Sequence, residues 1–179
     1  IDSLHATTLE HPPGQIDIFY NPGLPRADVD RLLRHLEALW QGFLASPELS
    51  ALVEAMGLQA EGQTWEIELH FVTDAEIRWL NKGHRNKDEA TDVLSFTMTA
   101  DSPQKAMWSA LPVVNLGSVF VSLEWAHAHA GTEGFERYAL ERVVHGWLHL
   151  MGQNHDTQAD YEKVVAIQTR VLRHALGAA

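Results

Sequence analysis

Strict alternation of apolar and polar side chains, followed at once by a helix signal, limits the folds open to this chain. Residues 65–71 read WEIELHF, with an apolar side chain at every second position. This period is typical of a strand that buries one face and exposes the other. Thr73 and Glu76 follow as a capping box, which predicts that a helix begins there. A strand that leads directly into a helix favours a mixed α/β fold.

The same signals predict the other elements. Strands are predicted at 16–20, 93–98 and 116–121, and helices from Pro25, from Pro47, and at 122–130, 133–151 and 157–176, the last with Thr157 and Asp160 as its capping box. Gly57 and Gly83 are predicted to end the second and third helices, and residues 100–112 to form a loop or irregular hairpin. We therefore expect one α/β domain of the α+β type over residues 1–179, in which a single mixed sheet of about four strands packs with five or six helices.

Composition restricts the chemistry that is open to the chain. Its 179 residues suit one domain, and the hydrophobic fraction of 45% is enough for an ordinary core. There is no cysteine, which excludes disulfides and thiolate metal sites, so a transition-metal site must use His, Asp or Glu. The net charge of −11 argues against nucleic-acid binding by the whole surface but leaves a local basic groove open.

The N-terminal segment shows no export signal. Residues 1–14 are polar and lack the basic start and apolar stretch of a signal peptide. No apolar run approaches the roughly 20 residues that a membrane helix needs. We therefore expect a cytoplasmic protein, and since Ile1 stands where Met would, we expect that a leader has been trimmed.

Three histidines near the C-terminus have the spacing of metal ligands. In the segment 144–156 (VHGWLHLMGQNHD), His145 and His149 are four residues apart, so on a helix their imidazoles lie on one face. Gly152 stands where a helix-ending glycine is expected, and a chain reversal there returns His155 to the other two. Three imidazoles leave a tetrahedral ion one open position, at which the pKa of bound water falls to about 7. We predict one zinc ion per chain, although nickel, copper and iron also suit imidazole.

The residues beside these histidines weaken a peptidase interpretation. In the protease motif H-E-x-x-H, the Glu after the first His is the general base, and here Gly146 takes that place. The glycine also predicts clear space for a bulky substrate near the ion. An apolar stripe beside the ligands is expected to pack this helix on the core: Leu140, Val143, Val144, Trp147, Leu148 and Met151.

Three stretches, in order, resemble the YbeY family of bacterial endoribonucleases. Residues 145–155 (HGWLHLMGQNH) are similar to its signature H-G-x-L-H-L-x-G-x-x-H. Residues 80–85 and 90–96 (LNKGHR and ATDVLSF) resemble L-N-x-x-x-R followed by T-D-V-L-S-F, and residues 116–117 with the strand after them are similar to a third motif. The resemblance covers roughly Trp65 to the C-terminus.

Four positions depart from the family pattern. Gln153 and Asn154 stand where the family usually has Tyr-Asp, Ser118 where it usually has Asp, and His84 where it commonly has Tyr. Neither Gln153 nor Asn154 is a predicted ligand, so we expect the metal site to survive.

The resemblance implies a zincin-like core and a zinc-dependent endoribonuclease that prefers single strands. It implies that the substrate is ribosomal RNA precursor, cleaved in 3′-end maturation of 16S rRNA and in ribosome quality control. It also implies the small ribosomal subunit or assembly proteins as further partners. It does not imply binding to a membrane.

Cleaving a phosphodiester requires a cation that holds the phosphate and stabilises the charge of the transition state. Arg85, at the arginine of the family motif, can bind two phosphate oxygens at once. It lies with Arg78, Lys82 and Lys87 in the densest basic stretch of the chain. The alternative interpretation of this stretch is a solvated helix C-terminus, where positive side chains interact favourably with the helix dipole. We predict Arg85 and the ligand His145 as catalytic, and Arg85, Lys82 and Lys87 as RNA-binding, with the general base unassigned.

For the other polar residues we predict mainly structural roles. Thr91 and Asp92 are expected to cap a turn or order the following strand, and Asp92 alternatively to hydrogen-bond a ligand imidazole. Asp156 is an equivalent candidate beside the third histidine. His127 and His129 are two residues apart, so on a helix they point to different sides, and we predict that both are surface residues.

Two other functions stay open on the residues alone. A zinc peptidase would share the two-histidine helix but lacks the helical Glu. A ribosome assembly factor without enzymatic activity would use the metal structurally, but structural zinc usually has four protein ligands where three are found here.

Overall fold

The computed structural model describes residues 2–101 and 105–177. Within them the chain forms five strands and six α-helices. The strands are β1 (Leu4–His11), β2 (Gly14–Tyr20), β3 (Thr64–Val72), β4 (Val93–Thr97) and β5 (Val113–Ser122). The helices are α1 (Arg26–Leu44), α2 (Leu49–Met56), α3 (Asp74–Arg85), α4 (Leu123–His129), α5 (Phe135–Leu150) and α6 (Gln158–Leu176).

The strands form one mixed sheet in the order β1-β2-β3-β5-β4. The three central strands β2, β3 and β5 are parallel, and the outer strands β1 and β4 are antiparallel to their neighbours. Parallel neighbours need a crossover, and α1 with α2 supplies the one between β2 and β3. This order leaves β4 as an edge strand beside β5.

Helices cover the two faces of the sheet unequally. On one face, α1, α5 and α6 pack over the main core, where the alternating side chains Trp65, Ile67 and Leu69 of β3 are buried. On the other face, α3 closes a smaller cluster made of Val72, Ile77, Leu80 and Leu94. The predicted α/β class with a single mixed sheet is confirmed. No described helix is both long and apolar enough to cross a bilayer.

Three local predictions need correction. The fifth strand, β1, lay outside the predicted set, because an edge strand in which no side chain is buried needs no alternating pattern. Gly83 was predicted to end α3, but the helix runs on to Arg85 and ends at Asn86, which has a φ of 57°. A glycine inside a helix costs only about 1 kcal/mol, which the Thr73 capping box helps to offset.

The predicted loop at 100–112 is partly helical. Residues 105–110 form a short 3-10 helix, and positions 102–104 lie outside the described residues. By contrast, Gly57 ends α2 with a φ of 70°, as predicted.

Candidate metal centre

Helix α5 carries two histidines on one edge and the core stripe on the other. The predicted stripe is buried, each side chain at 2% exposure or less: Leu140, Val143, Val144, Trp147, Leu148 and Met151. His145 and His149 are half-buried, and their Nε2 atoms lie 3.1 Å apart. The four-residue spacing thus brings the two imidazoles together on one side of the helix.

Gly152 reverses the chain after α5 and returns His155 to the helix. Its φ of 81° lies in the left-handed region that favours glycine. Its N–H donates to the carbonyl of His149 (3.0 Å), and the next N–H donates to that of Leu148 (2.9 Å), which makes a Schellman motif. The His155 ring then lies 5.3 Å from that of His145 and 5.1 Å from that of His149, measured between ring centroids.

The geometry of the three imidazoles fits a transition-metal ion. One nitrogen from each ring lies within 4.8 Å of the others, and the described residues contain no other such group of three. Two nitrogens on a tetrahedral zinc ion are about 3.4 Å apart when each Zn–N bond is about 2.0–2.1 Å. The 3.1 Å between the first two rings is close to that value. His155 is exposed, and it supplies the third nitrogen, within 4.8 Å of the other two.

Burial favours the neutral form of the His145 and His149 rings. It lowers the pKa of His145 to about 4, with smaller contributions from His149 and His155. Burial also lowers the pKa of His149, followed by the effects of His155 and of the positive charge on Arg85. A neutral imidazole keeps the lone pair that binds a metal, so these two rings are ready as ligands at neutral pH.

Gln168 on α6 contacts the ring of the first predicted ligand. Its side chain is buried, and its amide lies 3.0 Å from Nδ1 of His145. In this contact the amide nitrogen faces Nδ1. If Nε2 of that ring binds a metal, Nδ1 carries the proton, and a half-turn of the amide places its oxygen as the acceptor that fixes the ring. Sequence reasoning did not identify Gln168. The available signal was a polar residue on the buried face of α6, one turn from Val164 and one from Leu172.

The histidines line a cavity of about 480 Å³ between β4, α5, α6 and the end of α3. This volume lies within the roughly 300–1,000 Å³ of ordinary ligand pockets. We call its polar side the β4 wall, formed by Arg85, Thr91, Asp92 and Ser95. We call its apolar side the α6 wall, formed by Tyr161, Val164 and Val165.

Of the three residues predicted to bind RNA, Arg85 lines this cavity. Lys82 and Lys87 are exposed and lie outside its lining. Asp88 accepts a hydrogen bond from Arg78 (2.8 Å) and lies 4.0 Å from the Lys82 ammonium. The acidic neighbour therefore offsets part of the basic run, and Arg85 is the member of it that faces the histidines.

Asp92 orders the start of β4, as predicted. Its Oδ1 accepts from the Val93 N–H (2.8 Å) and from the Thr91 hydroxyl (3.1 Å). Its Oδ2 accepts from Nε of Arg142 (2.6 Å), and the described hydrogen bonds of Asp92 include no imidazole. Asp92 therefore holds the β4 wall to α5. The residue that contacts Nδ1 of His145 is Gln168, not Asp92 as the alternative prediction had it.

Glu141 is a cavity residue that sequence reasoning did not single out. It lies one turn before His145 on α5, and its Oε1 accepts from Arg142 (2.7 Å). Burial raises the pKa of its carboxyl, which Arg142 partly opposes. Asp156 is exposed, and no hydrogen bond to His155 is among those described for it.

Gly146 faces the sheet. A Cβ at this position would lie 2.4 Å from Cγ1 of Val119 on β5, so only a glycine lets α5 approach the sheet this closely. The prediction that Gly146 clears space for a substrate was therefore wrong, because Val119 fills the space beside it.

The other histidines named from the sequence lie outside the cavity. His127 and His129 are exposed at the end of α4, which confirms the prediction of surface residues. His84 is exposed on α3, and its ring lies 4.7 Å from that of Phe96.

Comparison with known proteins identifies one family. The sequence model described as Endoribonuclease YbeY matches residues 44–176. Endoribonuclease YbeY of Latilactobacillus sakei is 38% identical over 114 residues, which are 60% of this chain and 72% of the relative. Endoribonuclease YbeY of Exiguobacterium sibiricum is 35% identical over 144 residues, which are 75% of this chain and 90% of the relative.

A solved structure is also similar. The solution structure of a Thermotoga maritima protein aligns with 88% of this chain and 89% of its own, at 23% identity and a TM-score of 0.46.

Proposed function

The chain belongs to the YbeY endoribonuclease family, and we propose that it is a metal-dependent endoribonuclease that cleaves single-stranded regions of ribosomal RNA precursor. Its proposed task is 3′-end maturation of 16S rRNA and ribosome quality control in the cytoplasm, in contact with the small subunit or assembly proteins. Zinc is the proposed metal, one ion per chain, bound by His145, His149 and His155.

One observation carries the proposal: the three imidazoles and Arg85 line the same cavity, although Arg85 comes from a different part of the sheet-and-helix framework. A metal-dependent ribonuclease needs a metal site and a phosphate-binding group that face one substrate. The positive charge of Arg85 is close enough to contribute to the lowered pKa of His149. A phosphate held by Arg85 would therefore lie beside the metal ligands.

A divalent ion at the three histidines supplies Lewis acidity and an open position for water. The residues of the chain do the positioning. Arg85 holds the phosphate oxygens and stabilises the charge that develops on them. Gln168 fixes the ring of His145. The proposed catalytic part of His145 is to hold the metal ion through that ring. Contacts of Lys82 and Lys87 with flanking phosphates remain predictions.

Replacing Arg85 with Ala tests the assignment. We expect Arg85→Ala to lower the rate of RNA cleavage by about 10²–10³-fold, the effect of losing one group that stabilises transition-state charge. Elemental analysis of the purified variant should still find one metal ion per chain, because Arg85 is no ligand. Arg85→Lys should recover part of the rate, since it restores the charge without the paired donors.

The wild-type chain should cleave unstructured RNA and leave casein intact. Undiminished cleavage by Arg85→Ala would contradict the role of Arg85. Hydrolysis of casein would favour a peptidase. Loss of folding on chelation, without cleavage in either state, would favour an assembly factor with a structural metal.

A further inference from the structure

The α6 wall presents an aromatic ring to the cavity. Tyr161 is 55% exposed, and Val165, one turn further along the helix, is 40% exposed. Both line the cavity that contains the three histidines. Side chains four residues apart lie next to each other on a helix, so the two form one apolar surface. Apolar side chains left this open at a polar cavity suggest a ligand with an apolar face.

Tyr161 differs from the other two tyrosines of the chain. The Arg26 guanidinium lies 4.8 Å above the Tyr20 ring, and that of Arg142 lies 4.0 Å above the Tyr138 ring. The Tyr138 hydroxyl is also 3.2 Å from the indole nitrogen of Trp125. For Tyr161, the described contacts include no ring pair, no cation over the ring and no side-chain hydrogen bond. Its ring face is therefore open to a ligand.

The two walls match the two halves of a nucleotide. Arg85 on the β4 wall suits a phosphate, whereas the α6 wall offers a flat ring and aliphatic side chains without charge. Recognition of unpaired RNA relies on bases stacked on aromatic side chains in this way. We propose that Tyr161, supported by Val165, stacks with an unpaired nucleobase adjacent to the scissile phosphate. This subsite rests on the proposed ribonuclease function and specifies its substrate as single-stranded.

A stacking role predicts a dependence on RNA structure that a purely structural role of Tyr161 would not. A paired base has no free face to offer, so the subsite should discriminate single-stranded from double-stranded RNA of one sequence. The phenolic hydroxyl plays no part, so Tyr161→Phe is the matched control for Tyr161→Ala. An RNA that lacks one base, with its phosphates intact, is the matched control on the ligand.

The affinity for a fluorescently labelled single-stranded RNA is measured first, by anisotropy in the presence of a chelator so that the RNA stays intact. Tyr161→Ala should weaken binding about tenfold, the effect expected from one stacked base, and Tyr161→Phe should bind as the wild type does. Circular dichroism checks that each protein stays folded. Binding to the duplex should be the same for all three proteins.

A series of RNAs with one abasic position then locates the stacked base. At that position the wild type should fall to the affinity of Tyr161→Ala, and the variant should lose nothing further. The proposal is overturned if Tyr161→Ala binds single strands as tightly as the wild type, or if no abasic position removes the difference. Cleavage by the wild type, measured separately with metal, tests the ribonuclease function, so the two can fail independently.

Discussion

Two pairs of histidines on neighbouring helices show what separates a candidate metal centre from ordinary surface histidines. On α5, His145 and His149 turn their Nε2 atoms towards each other at 3.1 Å. On α4, His127 and His129 are two residues apart and each ring has its own neighbours. The Phe135 ring lies 3.9 Å from that of His127, whose Nε2 is 2.8 Å from Asp28.

Both described contacts of the His129 ring are with one residue of the same helix. Its ring stacks on Trp125 at 4.0 Å, and its Nδ1 lies 2.9 Å from the carbonyl oxygen of the same residue. The comparison teaches that histidine content alone carries little information. Spacing selects which rings meet, and the partner of each ring decides whether its second nitrogen is free for an ion.

The largest effect should come from removing a ring of the α5 pair. His149→Ala is expected to lose the bound metal, because two ligands hold a cation far more weakly than three, and RNA cleavage should drop by at least about 10³-fold. His127→Ala, the matched change on α4, should keep both. Elemental analysis and a cleavage assay measure the two properties. Equal metal loss in both variants would erase the distinction between the pairs.

A smaller effect should follow from changing what holds a ligand ring. Gln168→Leu removes the acceptor for Nδ1 of His145, and the affinity for metal should fall by about 10–100-fold. Gln168→Glu offers the ring another acceptor and should largely restore it. Competition with a chelator of known affinity gives the dissociation constant. If Gln168→Leu bound metal as tightly as the wild type, the amide would have no part in the metal centre.

The smallest effect concerns the α4 pair itself. His127→Ala should lower the free energy of unfolding by about 1 kcal/mol, because it loses a partly exposed contact with Asp28 and a stacked ring. His127→Gln keeps a donor for Asp28 and isolates the contribution of the ring. Urea denaturation measures both variants. A loss of several kcal/mol would mean that this histidine is part of the core.

Short-range rules account for much of what the sequence predicted. The three ligands lie in one segment, where helical spacing and a left-handed glycine determine the geometry without reference to the rest of the fold. The capping box at Thr73 and the alternation in β3 are equally local. Such features follow from the residues within one or two turns.

Residues that act through packing between distant segments were harder to predict. Gln168 meets His145 only because α6 lies against α5, and Tyr161 enters the cavity for the same reason. Nothing in the periodicity of α6 says which helix it will face. Gly146 was interpreted wrongly because its role depends on Val119, in a strand whose position relative to α5 no local pattern gives. Arg85 was found through its family motif, since neither charge nor spacing connects it to the histidines.

The contact between Gly146 and Val119 affects the cavity, although neither residue lines it. With no side chain between them, the helix that carries the ligands rests almost directly on the sheet, and that closeness sets how far the ligands stand from Arg85 and Asp92. One methyl group there would leave the three imidazoles and Arg85 chemically unchanged yet would push α5 away from the sheet. The separation between the candidate ligands and Arg85 thus depends on a contact between two residues that do not line the cavity.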